Sequence, residues 1–140
     1  MSVQGSEIDD PTVRLTQDWV EELRDRLGWA SNRDAIRLMR AVLVELRDRL
    51  PPAQVADLGQ RMPLLIRGMY YDGWHPARPR VLDPGRAAFD RAVAARLGRI
   101  DGYRGAGDID AVLAMLANRT GPLPDAIRPP PGVPGTRGPG

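Results

Sequence analysis

The stretch LLIRGMYYDGWHP, residues 64–76, gathers the groups with the most capacity for chemistry: two of the three tyrosines, one of the three tryptophans and the only histidine. Histidine titrates near neutral pH and is the usual general base, but a working base needs a nucleophile or acid beside it and a third group to orient it. His75 has no second histidine and no cysteine in the chain to work with. Arg67 and Tyr71 stand four residues apart, a helical spacing at which a guanidinium ordinarily lies along a phenol ring. No complete catalytic constellation forms, so no catalytic residue is assigned. Arg67, Tyr71, Trp74 and His75 are kept as candidate interaction residues, because aromatics and arginine are favoured at the centres of protein interfaces. The alternative is a small enzyme or small-molecule binder using a pocket around Arg67, Tyr71 and His75.

Other chemistries fail on residue supply. Without cysteine, disulfides and thiolate metal sites are excluded, and the short acidic runs EIDD and DIDA lack the spacing of a calcium loop. GYRGAG, residues 102–107, precedes a helix and offers amides to an anion, but it has no phosphate-loop lysine and follows no strand. Neither cofactor nor metal is expected. All twenty basic residues are arginine, and the net charge is only +2, so the pI of 9.6 is not the mark of a basic face. Arg78, Arg80, Arg86, Arg91, Arg96, Arg99 and Arg104 crowd one segment, with Tyr103 able to stack a base. Arg91 and Arg99 nevertheless fall about 80° apart on a helix and Arg96 elsewhere, which makes no reading stripe and argues against nucleic acid. Charge is uneven along the chain: residues 1–30 hold three arginines and seven acids, residues 78–104 seven arginines and three acids. Opposed blocks of this kind favour intramolecular docking or self-association.

Six helices are needed to position these residues. The first is expected from Thr16 as N-cap, with Trp19, Val20, Leu23 and Leu27 on one side and Gly28 ending it in the left-handed conformation. Ser31 opens the second with Asp34 three residues on, and its broad apolar face of Ile36, Met39, Leu43, Leu46 and Leu50 belongs at the centre of a bundle. Pro51 stops that helix and Pro52 starts a short third. Pro63 begins the fourth, which Gly73 is expected to close as a Schellman ending with Trp74 against Met69. An extended connector follows. Asp83 and Pro84 launch the fifth, with Phe89, Ala92, Val93 and Leu97 inward, and Ile109, Val112, Leu113 and Leu116 mark the sixth. Residues 1–15 read as a flexible acidic N-terminus. Residues 121–140, with seven prolines and five glycines, read as a disordered tail that can dock as an extended peptide.

The chain also resembles itself. Shifted by seventy residues, WVEELRDRLG at 19 meets FDRAVAARLG at 89, and MRAVLVELRDRLPP at 39 meets IDAVLAMLANRTGP at 109. Nine of the thirty-four positions from 19 to 52 recur unchanged without a gap. This predicts two duplicated helical units, 16–74 and 84–120, the second truncated, within one domain spanning 16–120. The runs LRDRLGW, RAVLVELRDRLPPAQVADLGQRMPLLIRGMYYDGW and FDRAVAARLG further resemble the domain-of-unknown-function 2267 family, small bacterial helical proteins, over residues 16–128. The resemblance implies an all-helical fold of two related units and no reaction; the shortened second unit and the tail depart from it.

The expectation is therefore an all-α bundle of about six helices, a non-enzymatic protein-association domain that binds a protein partner or a second copy of itself. The start of the chain has acids where a signal peptide needs basic then apolar residues, and no apolar run approaches the ~20 residues that span a bilayer, so a cytoplasmic location and no membrane role are expected.

Overall fold

A computed structural model of the chain describes residues 10–82, 85–124 and 127. Among them are six helices and no strand: α1 Pro11–Leu27, α2 Asn32–Arg47, α3 Pro52–Gly59, α4 Leu64–Tyr71, α5 Arg86–Leu97 and α6 Ala106–Thr120. α2 is central and packs on α1, α4, α5 and α6, while α3 is held by α4. Leu38, Met39, Leu43 and Leu46 of α2 are fully buried with Leu23, Ile66, Phe89, Ile109 and Leu116 from the elements around it. Each such side chain contributes roughly 1.5–3 kcal/mol of burial.

α1 starts at Pro11, five residues before the expected Thr16. Asp10 caps it by accepting the Thr12 amide at 2.8 Å, and Pro11 arrives with its dihedral preset and no amide to satisfy. Thr16 is inside the helix, its hydroxyl donating to the Thr12 carbonyl at 3.0 Å. The flexible N-terminus expected over 1–15 is thus helical from Pro11; residues 1–9 lie outside the described residues. Gly28 ends α1 at φ 73°, with Gly28 N–H on the Asp25 carbonyl and Trp29 N–H on that of Arg24, the paired bonds of a Schellman ending. Ser31 caps α2 through the Asp34 amide at 3.0 Å. The expected cap Asp83 and Pro84 lie outside the described residues. Leu123 and Ile127, at the start of the stretch read as tail, are buried in the core; residues 128–140 lie outside the described residues.

Two pairs of contacts between the N- and C-terminal halves are reciprocal. Arg37 donates to the Leu97 carbonyl at 3.1 Å, closing the end of α5, and Arg104 donates to the Leu27 carbonyl at 2.6 Å, closing the end of α1. The Arg49 guanidinium lies 5.3 Å from the centre of the Phe89 ring, and that of Arg119 lies 5.3 Å from the centre of the Trp19 ring. Leu27 and Leu97, Trp19 and Phe89, and Arg49 and Arg119 are each seventy residues apart, the shift that aligns the sequence with itself.

Candidate functional site

The aromatic corner is built where α3 meets α4. Arg67 turns back along the surface and donates from Nε to the carbonyl of Gly59, the last residue of α3, at 3.0 Å and from Nη2 to that of Met62, in the turn before α4, at 3.1 Å. Tyr70 is buried, and its hydroxyl donates to the Val55 carbonyl at 2.9 Å. Burial, aided by Tyr71 and opposed by Arg47, pushes the Tyr70 phenol well above its ordinary pKa. The Tyr71 ring meets Tyr70 edge-on at 5.0 Å and Trp74 at 5.6 Å. Its hydroxyl rests on Gly59, where a Cβ would lie 2.6 Å away. Arg67 and Tyr71 are therefore committed to joining two helices.

The end of α4 differs from the expected Schellman form. Asp72 leaves the helical region at φ −58°, ψ 121°, Gly73 follows at φ 78°, and Trp74 N–H returns to the Tyr71 carbonyl at 2.9 Å, a type II turn. Arg47 of α2 explains the difference. It reaches across to the carbonyls of Tyr70 at 3.0 Å and Asp72 at 2.8 Å, so the Tyr70 carbonyl that a Schellman ending would bond from Gly73 has another donor. The Trp74 ring is tilted against that of Tyr71, their centres 5.6 Å apart.

Beyond the turn, Trp74 is half-buried and His75 exposed. Both line a groove of about 120 Å³ with Asp48, Arg78, Arg80 and Val81, and Val81 N–H is pinned to the Asp48 carbonyl at 2.8 Å. Leu82 next to it is 73% exposed. Arg67 and Tyr71 do not line this groove, so the described cavities include none shared by Arg67, Tyr71 and His75.

Asp72 and Gly73 line a larger cleft of about 440 Å³ with Arg37, Arg40 and Arg96, and Arg47, Asp48 and Arg78 line both cavities. Arg47 is buried at 3% exposure and bonded to Asp48 at 2.8 Å, which fixes one wall. Arg40 pairs with Asp72 at 2.9 Å, both side chains exposed, and Arg96 donates through Nε to Glu45 at 2.7 Å. Burial alone would raise the pKa of Glu45, but hydrogen bonds and charge from Arg49 and Arg96 hold it below the ordinary value. The Arg78 side chain has no partner among the described residues. Arg37, Arg40, Val44 and Arg47 follow one another at three, four and three residues, a single helical face, and that spacing is the signal by which the cleft is legible in the sequence. A search for stripes confined to the arginine-rich segment around α5 passes over it.

Chemically, the arrangement offers a cluster of guanidinium donors and, beside it, a half-buried indole next to an exposed imidazole. Among the described residues, no three of His, Cys, Asp or Glu converge in a way that would hold a metal, and no helix is long and apolar enough to cross a membrane. A family model described as an uncharacterized conserved protein, DUF2267, matches residues 16–124. No curated protein matches the chain.

Proposed function

The chain belongs to the DUF2267 family of uncharacterized conserved proteins, and from that premise we propose that it is a non-enzymatic protein-association domain that meets its partner along the connector after α4. The observation that carries this reading is the division of labour in the aromatic corner. Arg67 and Tyr71 are taken up by the fold, whereas Trp74 and His75 stand at the surface beside Arg78, Arg80, Val81 and the exposed Leu82. An aromatic anchor with arginines at its rim and an apolar side chain beside it is the composition of an interface centre. The small groove takes one side chain, and its arginines favour a partner segment that carries carboxylates.

The test is affinity capture from the native host with the wild-type chain and with Trp74→Ala and Leu82→Asp, run beside light scattering at high concentration. A partner held by the wild type and lost from both variants supports the reading, as does a concentration-dependent dimer that both variants disrupt. Capture indifferent to both substitutions, with a monomer throughout, sinks it.

A further inference from the structure

In a cleft that shares Arg47, Asp48 and Arg78 with that groove but not Trp74 or His75, we propose that the arginine-lined space between α2, the end of α5 and the Asp72–Gly73 turn is a binding site for a small polyvalent oxyanion, a phosphate- or carboxylate-bearing molecule with at least two negative charges. The argument begins with unused donors. A guanidinium carries five N–H groups in a planar fork. Arg96 commits Nε to Glu45, Arg40 commits Nη2 to Asp72, and the Arg78 side chain commits none to any described residue. These three face one cavity whose far wall, Arg47, is already immobilised by Asp48 and two carbonyls. Arginine forks match the planar spacing of carboxylate and phosphate oxygens.

A comparison inside the chain shows that helix packing does not require these charges. α6 is buried as α2 is: Ala111, Val112, Leu113 and Leu116 are in the core as are Ala41, Val42, Leu43 and Leu46, seventy residues before them. Yet where α2 carries Arg37, Arg40 and Arg47, α6 carries Gly107, Asp110 and Ala117. Arg37 and Arg47 have carbonyls to serve; Arg40 has only an exposed carboxylate, and its counterpart Asp110 pairs instead with Arg86 at 2.6 Å. Collecting cations in one cleft costs mutual repulsion, which an anion between them converts to attraction.

The cleft also has the right size and the wrong lining for anything apolar. About 440 Å³ falls within the range of small-molecule sites. Only Ala41, Val44 and Leu97 offer apolar side chains to it. Asp72 is the built-in competitor, a carboxylate that occupies part of Arg40 until a more highly charged ligand displaces it.

The experiment titrates the full chain with inorganic pyrophosphate and with citrate, followed by calorimetry and thermal melting at low salt, with sodium chloride at matched ionic strength as the control. Saturable binding and a raised melting temperature are expected for one anion or both, and which of the two binds identifies the phosphate or the carboxylate class. Arg40→Gln with Arg78→Gln, two exposed positions, should weaken binding at least tenfold without altering the ligand-free melt. Asp72→Asn should strengthen it several-fold by freeing Arg40. The proposal is overturned if chloride reproduces the effect, if the double variant binds as the wild type does, or if Asp72→Asn weakens binding. Neither Trp74 nor Leu82 lines the cleft, so failure here leaves the partner reading standing, and failure of partner capture leaves this one standing.

Discussion

Glu45 receives Arg49 at 2.8 Å and Arg96 at 2.7 Å while its side chain is only 9% exposed, which makes it a carboxylate that depends on its partners. Its folded pKa lies below the ordinary value of 4.5, so the stability it contributes is present in full above that value and is lost as pH falls through the lower folded one. Glu45→Gln should cost about 1–3 kcal/mol at neutral pH. Urea denaturation at descending pH should show the gap to wild type closing below the ordinary carboxylate range. Gly59 gives a second test at this scale. A methyl group there collides with the Tyr71 hydroxyl, so Gly59→Ala should destabilise by about 1–3 kcal/mol, and Tyr71→Leu in the same chain should recover most of the loss. The second case marks the limit of reading residues from sequence. Arg67 and Tyr71 were visible as unusual, but their partners are the backbone of Val55, Gly59 and Met62, and a carbonyl leaves no trace in residue type.

At the scale of elements, every helix was legible, and the errors fall at helix ends, one where two local signals compete and one where a distant side chain decides. Asp10-Pro11 and Thr16 both announce a start for α1. The first prevails because Pro11 presets a helical φ and Asp10 caps the Thr12 amide, after which Thr16 has only the Thr12 carbonyl to bond. Asp10→Ala should therefore cost about 1 kcal/mol and Thr16→Ala well under that, measured by denaturant melts. Gly28 and Gly73 are likewise both left-handed glycines after a helix, yet only Gly28 makes a Schellman ending. The second ending depends on Arg47, twenty-six residues before Gly73, and only tertiary structure brings the two together. Arg47→Met should keep the side chain's volume while freeing the Tyr70 and Asp72 carbonyls. A loss of about 3 kcal/mol is expected, because Asp48 also loses its buried cation.

Across the whole molecule, each half completes the other. Arg104 grips the buried Asp108 with its guanidinium and its own backbone amide, then reaches the last carbonyl of α1. Removing Arg104 strands a carboxylate whose side chain is 4% exposed, whereas removing Asp108 leaves an arginine that water can serve. Arg104→Ala should thus be the worse change, by about 3 kcal/mol for the stranded acid, and hydrogen exchange should show the end of α1 opening with it. The sequence carried the seventy-residue shift, but it could not show that contacts cross between halves, since like residues exchange partners only once the helices are packed. The turn at Asp72–Gly73 has a consequence of its own. Its side chain is tethered to Arg40 in the cleft, its backbone to Arg47, and its next residue is Trp74 at the connector face. If the two proposals both hold, an anion that takes Arg40 from Asp72 loosens one of these tethers, and cleft occupancy and partner engagement are then thermodynamically linked, each changing the other's affinity by the same factor.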